Sequence, residues 1–170
     1  MKPLTIVVVG IALVLPFLAG AGDSARADVK NAMGETLGAL NLTETKEGVQ
    51  VEGRLTGLPP GIHGFHIHQV GQCTAPDFKS AGPHFNPGQK QHGDMNPLGV
   101  HAGDLANLTV SPEGSGSVNM LAKGATIKAG PHSLMQPGGT SLVIHASADD
   151  RKSDPAGNSG ERIACGVIQQ

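Results

Sequence analysis

A run of histidines between Gly64 and Asp104 constrains this chain more than any other stretch of its 170 residues. The run holds five of the eight histidines and ends in an aspartate three residues after the last of them. His66 and His68 flank Ile67 in an apolar segment, so a strand there would place both imidazoles on one face. Neutral imidazole is a common ligand of zinc and copper, and a carboxylate can complete a tetrahedral nitrogen and oxygen site. The run therefore predicts a metal site.

The other ligand candidates are spaced more widely. His84, His92 and His101 occur among Gly, Pro and Asn residues that are typical of a loop. A further candidate, His145, lies in a second apolar segment beyond Asp104. Taken alone, a histidine on a strand is more often a hydrogen-bonded core residue than a ligand, so the prediction rests on the whole set. Six histidines and one carboxylate exceed what one four-coordinate ion uses, which favours two adjacent metal ions.

The N-terminus has the pattern of a secretory leader. A basic residue precedes the apolar stretch 4–20, and A-x-A cleavage patterns end at Ala21 and Ala27. We expect a signal peptide within residues 1–27, cut after Ala21 or Ala27, followed by one domain over residues 28–170. An uncleaved N-terminal anchor is the alternative. The domain is expected to be exported.

Composition narrows the function of this domain. The net charge of the whole chain is −2, and no basic run or aromatic-interleaved patch occurs, so nothing supports nucleic-acid binding. Because the chain has no Trp or Tyr and only four Phe, its core must be built from Val, Ile, Leu and Ala. Two cysteines, Cys73 and Cys165, in an exported chain are best explained as one disulfide, with two free thiols as the alternative.

Short alternating segments separated by turn residues follow the leader. Besides the strand of His66 and His68, strands are predicted over 36–45, 49–55, 105–110, 118–121, 141–146 and 162–168. Long helical periodicity is absent and Gly and Pro are plentiful, which favours an antiparallel sandwich or barrel of seven or eight strands. The stretches 71–103 and 149–161 are too long for hairpins, and loops of that length are usually functional or disordered.

At these residues the chain resembles the copper/zinc superoxide dismutase family over nearly all of the domain. The motifs that carry the resemblance are GFHIH at 64–68, SAGPHFNP at 80–87, HAGDLANL at 101–108, the strand ending at His145, and GERIACGVI at 160–168. The resemblance implies an all-β, antiparallel, eight-stranded Greek-key sandwich or barrel of immunoglobulin-like architecture with two long functional loops. The early Cys73 is similar to that of the secreted bacterial branch, which implies a periplasmic location or otherwise an extracellular one.

Carried over residue by residue, the resemblance implies one copper and one zinc per subunit. The implied copper ligands are His66, His68, His84 and His145, and the implied zinc ligands are His84, His92, His101 and Asp104. His84 would bridge the two ions as an imidazolate. Asp149 matches a carboxylate that bonds a ring nitrogen of one ligand from each site. The expected catalytic residues are His84 and Arg162, whose guanidinium would orient the anionic substrate.

The implied function is dismutation of superoxide to O2 and H2O2 by a copper centre that cycles between Cu(II) and Cu(I) beside a structural zinc. The alternative is a non-catalytic exported protein that binds or buffers copper or zinc on the same scaffold. Arg162 and the shared His84 favour the enzyme, since storage needs neither. No nucleic-acid partner and no stable membrane association after processing are expected, and the family suggests a homodimer.

Five residues outside the ligand set carry further expectations. Ala156 departs from the family, which commonly has a threonine there that narrows the copper channel. Lys152, together with Arg151, is a candidate contributor to a positive field that steers superoxide. His63 matches no ligand position and is expected to be a structural hydrogen bonder beside the GFHIH strand, and His132 is expected to be a loop residue.

Overall fold

The computed structural model describes residues 23–170, which form one antiparallel sheet of nine strands. In chain order the strands are β1 (Ser24–Asn31), β2 (Thr36–Thr45), β3 (Gly48–Thr56), β4 (Gly61–His63), β5 (Phe65–His68), β6 (Leu108–Val110), β7 (Ser115–Lys123), β8 (Ser141–His145) and β9 (Arg162–Gln169). Across the sheet the order is β4-β6-β7-β3-β2-β1-β9-β8-β5. The edge strands β4 and β5 are consecutive in the sequence, with Gly64 between them, so the sheet curls back toward itself as a nearly closed barrel.

Alternation of side chains explains most of the strands. Ala25, Ala27 and Val29 of β1 are buried while the residues between them face solvent, as a strand with one face on the core requires. The core contains no Trp or Tyr and is built largely from Val, Leu, Ile and Ala, as composition predicts. By contrast, β5 and β8 are buried at every position, because loops cover their outer faces.

The all-β antiparallel architecture is confirmed, but the prediction of seven or eight strands is wrong, since the described chain has nine. The first additional strand is β1, which begins at Ser24 and pairs with both β2 and β9. The boundary predicted at residue 28 therefore falls inside a strand, while residues 1–22 of the predicted leader lie outside the described residues. The second is β4, which Gly64 separates from β5 and which pairs with β6 at the opposite edge of the sheet.

Three long connections interrupt the strands: a β5–β6 loop (69–107), a β7–β8 loop (124–140) and a β8–β9 loop (146–161). The first and third contain the two loops predicted from sequence. The β7–β8 loop was not singled out, and it is anchored because the Glu44 carboxylate accepts hydrogen bonds from the Thr126 hydroxyl at 2.8 Å and the Ile127 amide at 2.6 Å. Nowhere in residues 23–170 is there a helix long and apolar enough to cross a membrane.

Candidate metal centre

Two neighbouring strands fix three of the predicted ligands. β5 pairs with β8 in a register that places His66 opposite Val143 and His68 opposite Ser141. His145 ends β8, and its amide donates to the Gly64 carbonyl at 2.8 Å. Because side chains alternate along a strand, Phe65 and Ile67 join the core while the two histidines of β5 face the other way.

The β5–β6 loop supplies the other ligands and is held against β5 by backbone hydrogen bonds. The Ile67 amide donates to the Gly103 carbonyl, the Phe85 amide to the Ile67 carbonyl, and the Gly103 amide to the Phe85 carbonyl, each at 2.8 Å. A Cβ at position 103 would lie 2.3 Å from the Ile67 oxygen, so only glycine permits this approach. The loop residues His84, His101 and Asp104 are thereby brought close to the histidines of β5.

His66, His68, His84 and His145 form the first cluster, in which one potential ligand atom from each lies within 4.8 Å of the others. The outer nitrogens of three of these rings donate to protein acceptors. His66 Nε2 donates to Asp149 Oδ2 at 2.9 Å, His68 Nδ1 to the Gly82 carbonyl at 2.8 Å, and His145 Nδ1 to the Gly160 carbonyl at 3.1 Å. This arrangement fixes the tautomer and leaves the inner nitrogen of each ring as a lone-pair donor.

His84, His92, His101 and Asp104 form the second cluster. The Nδ1 atoms of its three histidines lie 2.9, 3.0 and 3.2 Å from Asp104 Oδ1. The other carboxylate oxygen accepts from the backbone amides of Gly93 and His101 at 2.9 and 3.1 Å. Three imidazole nitrogens and one carboxylate oxygen are a complete tetrahedral donor set for zinc, and the cluster is buried.

His84 belongs to both clusters, because its Nδ1 faces Asp104 while its Nε2 belongs to the first cluster. Within residues 23–170, His84 Nε2 and His66 Nδ1 are buried side-chain nitrogens without any hydrogen-bond partner. Buried polar atoms are almost always paired, so two adjacent orphans require an explanation. A bound cation supplies it: the donor set of the first cluster fits copper and that of the second fits zinc.

Asp149 links the two clusters. Its Oδ2 accepts from His66 Nε2 and its Oδ1 from His92 Nε2, both at 2.9 Å. The backbone of Asp149 is held in turn by Asn107, whose amide accepts from the Asp149 N–H at 2.9 Å and donates to its carbonyl at 2.8 Å. Gly157 leaves room for this contact, since a Cβ there would lie 1.7 Å from Asp149 Oδ1.

Arg162 lies beside the first cluster at the start of β9. Its guanidinium donates to the carbonyls of Phe78 and Gly82, both at 2.7 Å. The Gly82 carbonyl also accepts from His68, so the cation and a predicted copper ligand share one acceptor. The disulfide between Cys73 and Cys165 joins the β5–β6 loop to the same strand, with 5.6 Å between the two Cα atoms.

Comparison with known proteins agrees with this geometry. Residues 36–168 match the family model described as copper/zinc superoxide dismutase (SODC). Superoxide dismutase [Cu-Zn] 1 of Aquifex aeolicus (strain VF5) is 49% identical over 145 residues, which cover 84% of this chain and 86% of the relative. The chain belongs to the copper/zinc superoxide dismutase family.

Two further similarities cover most or nearly all of the dismutase chain. Superoxide dismutase [Cu-Zn] 2 of Aquifex aeolicus (strain VF5) is 46% identical over 171 residues, covering 99% of this chain and all of the relative. The crystal structure of a double mutant of a superoxide dismutase-like protein from Bacillus subtilis superposes with a TM-score of 0.82 and 40% identity. That similarity covers 85% of this chain and 97% of the other. The family and the two histidine clusters together establish copper and zinc as the cofactors.

The electrostatics of the dismutase centre favour cations. Burial lowers the pKa of His84 to about 4 and that of His145 to about 3, so both rings are neutral lone-pair donors at neutral pH. Burial alone would lower the pKa of His92, but contacts with Asp104 and Asp149 raise it to about 9. One protonated histidine cannot balance two buried carboxylates, whereas a divalent cation in each cluster supplies the missing positive charge.

The dismutase structure brings together every residue that the sequence predicts for the site. His63 is buried and its ring nitrogens bond the carbonyls of His145 and Pro59 at 2.8 and 2.9 Å, and His132 lies in the β7–β8 loop. Arg151 differs from the expectation of a steering cation, because its guanidinium forms an ion pair with Asp94.

Sequence reasoning missed three residues that support the site, namely Asn107, Asp154 and Gly157. Asp154 Oδ1 accepts from the His92 backbone amide at 2.6 Å. Asn107 lies inside the HAGDLANL motif, which is the signal that could have identified it. Nothing in the local sequence marks Asp154 or Gly157, since their contacts arise only when the two loops meet.

Proposed function

We propose that this chain dismutates superoxide with copper held by the first cluster and zinc held by the second. The proposed copper ligands are His66, His68, His84 and His145, and the proposed zinc ligands are His84, His92, His101 and Asp104. One observation carries the proposal: His84 has one ring nitrogen in each cluster, and the nitrogen on the first-cluster side is buried and unpaired. Storage of a metal would not require a shared ligand.

The metal ions and the histidines have different roles in the proposed reaction. Bound copper supplies a one-electron cycle that oxidises one superoxide to O2 and reduces the next to H2O2, and zinc supplies fixed charge without redox change. His66, His68 and His145 keep their outer N–H groups on protein acceptors, which fixes the direction of their lone pairs. His84 Nε2 has no such acceptor, so whenever it is not bound to copper it could take up one proton and give it to the peroxide, while the second proton of H2O2 would come from solvent.

Arg162 is proposed to bind and orient superoxide. Its guanidinium is partly buried, and two carbonyl acceptors hold it in one orientation. Burial lowers its pKa, yet a guanidinium stays protonated in proteins, so the group presents a fixed positive charge to an anion. Besides burial, which is the larger cause, this charge contributes to lowering the pKa of His68 and His145, which places it within electrostatic reach of the copper cluster.

The decisive experiment is the rate of superoxide decay, followed by pulse radiolysis, with the protein loaded with copper and zinc. We expect a fast second-order rate that is absent from the zinc-only form. The same protein with His84→Ala should lose the rate and should bind both metals more weakly. If superoxide decayed no faster with the copper-loaded protein than with the metal-free protein, the buffering alternative would be favoured.

We also propose that the leader is removed after Ala21 rather than after Ala27. A cut after Ala27 would remove the first half of β1, including the buried Ala25 and Ala27. Mass spectrometry of the exported protein should give Gly22 as the first residue, and Asp28 as the first residue would contradict this.

The proposed location is the periplasm, in keeping with the leader pattern and the disulfide. A homodimer is proposed from the family alone. The molecular mass in solution, measured by analytical ultracentrifugation, tests it.

A further inference from the structure

The β5–β6 loop and the β8–β9 loop meet along a short interface beside His92. The Met95 amide donates to the Arg151 carbonyl at 3.0 Å, and the Asn96 side chain donates to the Lys152 carbonyl at 3.3 Å. At the centre of this interface the Arg151 guanidinium forms a two-contact ion pair with Asp94, and Nε lies 2.8 Å from Asp94 Oδ1. The pair joins the two loops through residues that are 57 positions apart in sequence.

Arg151 also contacts the carboxylate that holds a proposed zinc ligand. Its backbone amide donates to Asp149 Oδ1 at 2.6 Å, and this is the oxygen that accepts from His92 Nε2. Arg151 has a φ of 63°, in the left-handed region that favours glycine. A residue other than glycine is uncommon in this conformation, which makes position 151 a candidate for a structural or functional role.

We propose that Arg151 is a positioning residue for the zinc ligand His92, acting through Asp149, and that its ion pair with Asp94 makes zinc retention sensitive to salt. The proposal rests on the assignment of His92 to zinc. The guanidinium fixes residue 151 against the β5–β6 loop, and the amide of the same residue then fixes the Asp149 oxygen on which the His92 ring depends. Arg151 is not a member of the cluster that would hold zinc.

The effect should fall on zinc rather than on copper. His66, the copper-side partner of Asp149, lies on β5, where its backbone is held by the ladder with β8. His92 lies in a loop, and among the described residues its ring nitrogens hydrogen-bond only Asp104 and Asp149. Its backbone amide donates to Asp154, which also belongs to the β8–β9 loop. Loosening the β8–β9 loop therefore removes a larger share of the restraint on His92 than on His66.

Arg151→Gly isolates the ion pair. Glycine adopts the left-handed conformation without strain and keeps the backbone N–H that bonds Asp149, so the substitution removes the side chain with its guanidinium but not the backbone contact. Both side chains of the pair are about half exposed, at 51% each, so its contribution is modest and screened by salt. In the copper- and zinc-loaded protein at low salt, we expect zinc to transfer to a chromophoric chelator about threefold faster in Arg151→Gly than in the wild type. Copper release should stay unchanged.

The salt dependence and a charge-swap variant distinguish this positioning role from a general destabilisation of the β8–β9 loop. The difference between Arg151→Gly and the wild type should disappear at about 1 M salt, where the screening length is a few ångströms. The charge swap Arg151→Asp with Asp94→Arg should restore slow zinc release, and Asp94→Asn alone should behave as Arg151→Gly does. Arg26→Ala is the matched control, since Arg26 forms an exposed pair with Asp28 on β1 at 3.0 Å.

Several outcomes would overturn the inference. Zinc release at the wild-type rate in Arg151→Gly at low salt would do so, as would an equal acceleration of zinc and copper release with a lower melting temperature of the metal-free variant. Failure of the charge swap to rescue would remove the ion pair as the cause. If the wild-type protein bound no zinc through His92, the proposed function would fail instead, and the two failures are distinguishable.

Discussion

The imidazole rings of His66 and His84 have centroids 4.0 Å apart, and each carries a buried nitrogen that is unpaired within residues 23–170. Leaving one such group without a partner costs about 1–3 kcal/mol. Two of them side by side reduce the stability of the metal-free protein, and a cation bound there would remove the cost. Removal of this cost would therefore contribute part of the favourable free energy of metal binding.

Asp149→Asn should weaken zinc binding about 10- to 100-fold, the usual effect of removing a partner of a metal-bound histidine. An amide keeps one acceptor oxygen but presents an NH2 group to the other ring N–H, so only one of the contacts to His66 and His92 survives. Zinc affinity measured by chelator competition checks this. Asp150→Asn is the control, because Asp150 is exposed and contacts neither ring. Equal affinities in both variants would contradict the linking role.

Arg162→Lys should lower the second-order rate of superoxide decay about tenfold, within the range by which a directed positive charge raises association rates. A lysine keeps the charge, but its ammonium cannot reproduce the planar fork that bonds both Phe78 and Gly82 carbonyls. Copper and zinc contents should stay at wild-type values. An unchanged rate in Arg162→Ala at full metal loading would show that Arg162 does not act on the substrate.

The histidine run from Gly64 to Asp104 was predictable because its signal is local: histidines on one strand face, glycine-rich spacing and an aspartate that closes the series. The division of these residues and His145 between two metal ions came from the resemblance to the family. The contacts that hold those side chains in place were harder to predict. Asp154 and Gly157 act on His92 and Asp149 only after the two loops come together, and neither belongs to a motif. Which of the two imidazole nitrogens is free to bind a metal is determined by the acceptor that the other nitrogen bonds. The sequence does not specify that acceptor.

The strand count shows the same limit of local patterns. The segment around Gly64 reads as one apolar run, yet the chain breaks there and joins opposite edges of the sheet. β1 overlaps the leader pattern, so small residues such as Ala25 and Ala27 satisfy a cleavage signal and a buried strand face equally well. The overall architecture was predictable because alternation and turn residues are repeated along the whole chain.

Lys152→Glu should lower the catalytic rate more at low salt than at high salt. Lys152 is exposed, and no salt bridge engages its ammonium in the described part of the chain, whereas its neighbour Arg151 is paired with Asp94. Steering by an exposed charge is screened over about 10 Å at 0.1 M salt. Rates measured from about 10 mM to 0.5 M salt check this, with Lys128→Glu in the β7–β8 loop as the control. Equal losses at every salt concentration would exclude steering by Lys152.

Replacing Cys73 and Cys165 by serine should lower the free energy of unfolding by about 2–4 kcal/mol, because the disulfide closes a long loop with a sequence separation of 92 residues. The dismutation rate should fall as well, since the acceptors of Arg162 lie in the segment that Cys73 tethers. Denaturant unfolding and rate measurements on the metal-loaded variant check both effects. Loss of stability with a wild-type rate would separate the disulfide from Arg162.

The metal-free protein should lose stability as the pH falls from about 6.5 to about 4. Burial lowers the pKa of His84 to about 4 and that of His145 to about 3, below the ordinary value of 6.5, so in this window the unfolded chain binds protons that the folded chain does not. Each group then contributes a slope of about 1.4 kcal/mol per pH unit.

The other buried groups do not cancel this slope. The pKa of His92 is raised to about 9, so its stabilisation is complete below pH 6.5 and is lost only as the pH rises toward 9. The lowered pKa values of Asp104 and Asp149 matter below about pH 4, where carboxyls of the unfolded chain become protonated. Urea unfolding of the metal-free protein at three pH values between 4.5 and 6.5 measures the slope, which His145→Gln should reduce. A stability that is flat or that increases toward pH 4.5 would mean that these histidines are already protonated in the folded metal-free state.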